Sequence, residues 1–262
     1  MTIRIITAAA LAATSLISQV AFADAPAATT PEFTVTGSAA IVSQYKFRGL
    51  SQSDNLPAVQ ASVTLSHKSG FYVAMWGSSA THNTSPINIG GTEIDVYGGY
   101  THGLGKSGLT VDVGGYGYIY PGATAGNYYE LYGSLTKAYG PLSAKVGVNY
   151  APAQKVFNFN FTSPTHNNTY VFGELGFSIP KTPITLHSHL GHTGGGFDYG
   201  KPYLDYTVGA SYKWKALTFD ISVVGTDLKT ADVNNPGAFG CNAICAFRPA
   251  KTVGVASLTA SF

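Results

Sequence analysis

Seven acidic side chains, Glu93, Asp95, Asp112, Glu130, Glu174, Asp205 and Asp220, are the groups in this chain best suited to act together. Each falls on the polar face of a segment that alternates with period two, so extended backbone would aim all of them at one shared surface. Tyr97, Tyr116, Tyr118 and Tyr132 fall on the same face, and Lys145 is its clearest cation. Carboxylates ringed around a water-filled path select cations by charge, and aromatic faces suit flat or sugar-like solutes. The competing expectation is that these acids pair with one another, with Lys145, Arg48 or Lys46, and only satisfy a packed polar interior.

Other constellations are sparser. His187 and His189 share a face two residues apart and, with His192, mimic part of a metal motif. A third ligand on that face is not evident, so neither metal nor cofactor is expected. Cys241 and Cys245, in CNAIC, fall in a long exposed connection, where a local disulfide is favoured over metal in an oxidising compartment. His67 and Ser69 form the sole His-x-Ser, but they lie in a short turn with no Asn placed to orient the imidazole, so a phospholipase-like Ser-His-Asn site is not expected. Gly105, Lys106 and Ser107 look like the end of a phosphate loop, yet Tyr100 stands where that motif needs its first Gly. The loop acids Asp54, Asp227 and Asp232 read as solvated charge.

What must position the acidic face is a set of strands. Residues 58–67 set Val59, Ala61, Val63 and Leu65 against Gln60, Ser62, Thr64 and Ser66. The same two-sided pattern runs through 33–45, 71–79, 93–102, 109–120, 128–139, 142–150, 169–179, 184–193, 203–214, 217–226 and 251–262. That makes twelve strands, an even number. The connections after the second, fourth, sixth, eighth and tenth strands are short, and those after the odd-numbered strands are longer. Short turns at one rim, long loops at the other and both ends on the short-turn side define an antiparallel transmembrane β-barrel, with the short turns periplasmic and the long loops extracellular. Strands of about ten residues, tilted near 40°, reach about 25 Å, the height of the apolar band of such barrels.

Composition agrees with that class. Only 11% of residues are charged, while Gly reaches 31 and Tyr 17. A chain so poor in charge, with no apolar run after residue 23 long enough for a spanning helix, must hide apolar surface in β-structure. Residues 1–23 carry Arg4, an apolar stretch and the triplet Ala21, Phe22, Ala23, which reads as a secretory signal peptide cleaved after Ala23. A flexible lead over 24–32 then precedes a barrel domain over 33–262. Cations and anions nearly balance, which argues against nucleic acid as a partner. Phe33, Phe71, Tyr139, Phe177, Trp214, Phe219 and Phe262 are expected to form an interface girdle at the short-turn rim. Tyr45, Tyr100, Tyr129, Tyr150 and Tyr206 are expected to form one at the other.

Residues 45–60 (YKFRGLSQSDNLPAVQ), 66–78 (SHKSGFYVAMWGS), 93–100 (EIDVYGGY) and 118–130 (YIYPGATAGNYYE) carry a family resemblance. Together they resemble the TorF family of porins, Gcw_chp-type bacterial outer-membrane proteins. The motif falls on Tyr45, Arg48, Gly49 and Ser51. The resemblance implies a Gram-negative outer-membrane porin. From the residues themselves the expectation is a narrow, acidic, Tyr-lined channel that passes small cations or neutral polar molecules. A non-conducting structural or adhesin-like barrel is the alternative. Expected partners are outer-membrane lipid, small solutes and the barrel-assembly machinery, which would read the strand ending in Phe262. A monomer is expected.

Overall fold

A strand that is apolar on one side and polar on the other cannot be satisfied by lipid or by water alone, and a sheet of such strands has to close. The structure, a computed structural model, describes residues 31–80, 90–157, 166–233 and 246–262. Its barrel strands begin with β1 (Phe33–Val42), β4 (Ala58–His67), β5 (Phe71–Ser79), β6 (Thr92–Gly103), β7 (Leu109–Ile119) and β8 (Tyr128–Tyr139). They continue with β9 (Leu142–Ala151), β10 (Asn168–Ser178), β11 (Ile184–Gly195), β12 (Tyr203–Trp214), β13 (Leu217–Thr226) and β14 (Val253–Ser261). Every neighbouring pair is antiparallel, and β1 pairs with both β4 and β14, giving a closed barrel of twelve strands. Two further short strands, β2 (Lys46–Phe47) and β3 (Leu50–Ser51), pair only with each other.

The expected alternation decides which side faces out. Along β4, Val59 is 61% exposed while Gln60 is 7% exposed, and the same contrast separates Val63 from Thr64. Val35, Val73, Leu131, Val146, Leu175, Leu190 and Ile221 continue the exposed apolar belt around the barrel. This outer surface spans a membrane; no helix among the described residues is long and apolar enough to do so. The five short connections include Gly70, Gly140 and Lys215 with positive φ, as tight hairpin turns require.

Three expectations about the rims change. β1 ends at Val42, and Tyr45 is 2% exposed, turned inward beside Trp76 and not part of the lipid-facing girdle. Tyr100 stands at the short-turn rim, because β6 runs toward the turn after Gly103 and pairs Tyr100 with Phe71. Residues 46–57, expected as a simple long loop, contain the β2–β3 hairpin. The signal peptide reading and most of the flexible lead lie outside the described residues, as do Cys241 and Cys245.

The seam between β1 and β14 ends in a reciprocal pair of backbone bonds between Gly37 and Phe262, each 3.0 Å. A side chain at position 37 would collide with the Phe262 ring, so Gly37 is what lets that ring lie across the seam. Removing Phe262 deletes both bonds and the ring cover. The fraction of protein that migrates as the compact, heat-modifiable species on unheated gels is expected to fall, and an unchanged fraction would contradict this account of the seam.

Candidate functional site: the constricted lumen

The interior is organised by the β2–β3 hairpin, whose two tip residues are Arg48 and Gly49. Both have positive φ, 47° and 78°, the conformation that a two-residue hairpin with right-handed strand twist demands. Glycine adopts it freely, and a side chain at position 49 would run into Asp205 and the backbone of Gly225. Arginine adopts it at a cost of about 1–3 kcal/mol and needs compensation. Its Nη2 donates to both oxygens of Glu130, at 2.8 and 2.6 Å, and its guanidinium lies 4.3 Å over the Tyr170 ring and 4.8 Å over Phe47. The Tyr203 hydroxyl donates to the Arg48 carbonyl at 3.1 Å. The tip is therefore fixed inside the barrel wall.

The remaining motif positions hold the base of the hairpin. Ser51 Oγ accepts from the Asn55 amide at 2.8 Å, and the Tyr45 amide donates to Ser53 Oγ at 2.9 Å. Lys46 is 1% exposed and donates from Nζ to the carbonyls of Pro249 at 2.8 Å and Lys251 at 3.2 Å, tying the hairpin to the segment before β14. Burial lowers the Lys46 ammonium to about 8, because two carbonyls replace its hydration only in part.

The fourteen expected lumen residues all lie on the inner face, but they do not form one ring. Glu93 and Asp95 are each 1% exposed, Tyr120 donates to Glu93 at 3.2 Å, and neither carboxylate lines the cavity that the others border. Glu130 is committed to Arg48 and also accepts from Tyr118 at 3.2 Å and Asn149 at 3.1 Å. His187 and Asp220 meet at 2.6 Å. The others converge on a cavity of about 110 Å³ bordered by Asp112, Glu174 and Asp205, by Lys145 and His189, and by Tyr97, Tyr116, Tyr118 and Tyr132.

Within that cavity the charges are already engaged. Asp112 accepts from Tyr72 at 2.9 Å, and the Tyr72 and Tyr132 hydroxyls share a further hydrogen bond. His189 stands 3.4 Å from Glu174 and 3.2 Å from Asp205, and Tyr170 donates to Asp205 at 3.1 Å. Lys145 faces Glu174 directly across β9 and β10, with its ammonium 5.6 Å from the Phe172 ring centre. One wall is aromatic: Tyr97 and Tyr116 stack at 4.5 Å, and Tyr118 and Tyr128 stack at 4.1 Å. A free ring of carboxylates is thus not what the barrel contains; the acids are distributed among Arg, His, Lys and Tyr partners.

Sequence reading did not assign Phe47 or Asn149 to the cavity, and it brought Arg48 to the inward acids only in the competing expectation of a paired interior, which the Arg48–Glu130 contact follows. The signal for Arg48 was its place before Gly49, which could have marked a tight hairpin. His192 stands on the exposed outer face, apart from His187 and His189. At the short-turn rim, His67 Nδ1 lies 2.6 Å from Ser69 Oγ, and its Nε2 lies 3.4 Å from Glu32, a carboxylate the sequence reading did not connect with it. The Ser69 amide also donates to that Nδ1 at 3.2 Å, so the imidazole caps its own exposed turn.

These features define a class: a closed, membrane-spanning β-barrel of the outer-membrane type with a hairpin-narrowed interior. The chain belongs to the family described as bacterial protein of unknown function (Gcw_chp), whose model matches residues 25–262. Among solved structures it is similar to the NanC porin, with 14% identity, a TM-score of 0.56, and 87% of this chain and 99% of that chain covered. It is also similar to the COG4313 outer membrane channel from Pseudomonas putida F1, with 11% identity, a TM-score of 0.47, and 89% and 96% covered. LpxR from Salmonella typhimurium gives 7% identity, a TM-score of 0.40, and 87% and 99% covered. No curated protein matches the sequence.

Two outcomes follow from the hairpin contacts. Arg48→Met leaves Glu130 buried without its cation and is expected to lower the unfolding free energy by about 3–5 kcal/mol, with Arg48→Met/Glu130→Met recovering much of the loss. Urea titration of folded protein in detergent checks both. Lys46 favours the neutral amine when folded, so its burial penalty is full below about 8 and is relieved as pH rises from there toward the ordinary lysine value. The urea midpoint should rise between pH 7.5 and 9.5 in the wild type, and that component should vanish in Lys46→Met.

Proposed function

We propose that this protein is a monomeric channel in the outer membrane of a Gram-negative bacterium, passing small polar solutes by passive diffusion and performing no catalysis. The observation that carries this reading is the polar and aromatic cavity enclosed by the barrel wall beside the Arg48 hairpin. A barrel that served only as an anchor would have no need to fold its first long loop inward and hold a strained arginine against Glu130. The cavity borders three carboxylates, Asp112, Glu174 and Asp205, against the cations Arg48 and Lys145 and the titratable His189. With most of those groups paired, this balance supports neutral solutes and a weak preference for cations, not strong charge selection. Lipid surrounds the apolar belt. The exposed Phe262 at the short-turn rim supports its being read by the barrel-assembly machinery.

Folded protein in planar bilayers is expected to give small unitary conductance steps with a reversal potential slightly on the cation side. The Phe47→Ala/Arg48→Ala variant, which empties the hairpin tip, is expected to raise the step size severalfold. Absence of any steps from both proteins would favour the non-conducting structural or adhesin-like barrel, and an anion-side reversal potential would overturn the selectivity.

A further inference from the structure

Of the charged side chains that border the lumen cavity, all but one are engaged by a bonded partner. Arg48 is bonded to Glu130, Asp112 accepts from Tyr72, and Glu174 and Asp205 both stand beside His189. Lys145 is the exception, since its Nζ makes no hydrogen bond or ion pair among the described residues. The residue is half-buried and lines the cavity, and its Nζ is not one of the fully buried unpaired nitrogens of the interior, so lumen water reaches it.

The place of that ammonium follows from its neighbours. Lys145 pairs directly with Glu174 across β9 and β10, a position where opposite charges ordinarily meet. Glu174 instead turns to His189, with Oε1 3.4 Å from Nδ1. Two positions along β9, on the same inner face, Gly147 leaves room for the Phe172 ring opposite it, and a side chain at 147 would collide with that ring. The ring thereby lies with its centre 5.6 Å from Lys145 Nζ, where an aromatic face holds an ammonium without neutralising it.

From this geometry we infer that Lys145 is the residue that sets the charge selectivity of the lumen, keeping a barrel whose inner face is rich in carboxylates from selecting cations strongly. The inference deepens the channel reading and rests on it. A bonded pair such as Arg48 and Glu130 presents a dipole, and its field fades faster with distance than that of a single charge. Glu174 and Asp112 act on the Lys145 ammonium through space and offset part of its field, but neither is joined to it. A cation entering the cavity is opposed by this ammonium, and an anion is drawn to it.

The test is the reversal potential of folded protein in planar bilayers under a KCl gradient of about threefold, recorded near 0.1 M and again near 1 M salt. Lys145→Gln and Lys145→Met both remove the charge, the second keeping an apolar stem beside the Phe172 ring. Each is expected to raise the ratio of cation to anion permeability by about threefold or more at the lower salt. The change should shrink toward none at the higher salt, where the screening length falls from about 10 Å to about 3 Å. Lys145→Arg is expected to keep the wild-type ratio, as is Lys137→Gln, which removes an exposed ammonium from the outer face of β8. Heat-modifiable migration shows that each variant is folded before it is recorded. An unchanged ratio in the neutral variants, an equal change at both salt concentrations, or the same change in Lys145→Arg would overturn the assignment and leave the channel standing. A wild-type barrel that never conducts would overturn the channel and this role with it.

Discussion

In hydrocarbon no backbone N–H or C=O can be left without a partner, and that single requirement shapes this molecule. It forces β1 to find β14 and brings both ends to one rim. It also confines irregular backbone to the connections and the interior. Because the pleat alternates sides, the apolar half of every strand is spent on lipid, and the polar half has nowhere to go but inside. The dense population of Asp, Glu, Tyr and His in the lumen is therefore a consequence of closure before it is a statement about solutes.

That consequence creates a second problem, since a narrow barrel crowds its polar side chains together. Twelve strands close at a backbone radius of roughly 12 Å, much of which side chains occupy. Like charges at such spacing are tolerated only when paired. The barrel answers with imported cations as much as with those on its strands. Arg48 comes from a loop and neutralises Glu130, while Lys145 and His189 flank Glu174 on the wall itself. Tyrosine hydroxyls complete many of the remaining valences. Carboxylates still outnumber cations on the inner face, but most of them are engaged by basic or hydroxyl partners, which moves the functional argument from charge selection toward hydrogen bonding and ring contacts.

The hairpin carries both stability and shape. Its tip pairs a residue that tolerates positive φ with one that does not, and the second is held there by an ion pair and an aromatic ring. The same contacts leave Arg48 Nη1 buried with no hydrogen-bond partner among the described residues.

The sequence by itself determined everything that depends on local period: the twelve strands, which face of each meets lipid, the sorting of short and long connections, and the set of side chains that face inward. Those follow from nearest-neighbour geometry, so Val59 and Gln60 could be assigned to opposite sides without knowing what either would touch. Only the tertiary structure decided the path of residues 46–51 into the barrel and the pairing of Arg48 with Glu130, eighty-two positions away. It also decided the burial of Tyr45 and the rim on which Tyr100 stands. Alternation says that a side chain points inward but carries no information about how far along the barrel axis it lies or what stands opposite. That is why a face of seven acids read as an open ring, and why strand stagger and one inward-folded loop turned it into a set of paired groups around a small cavity.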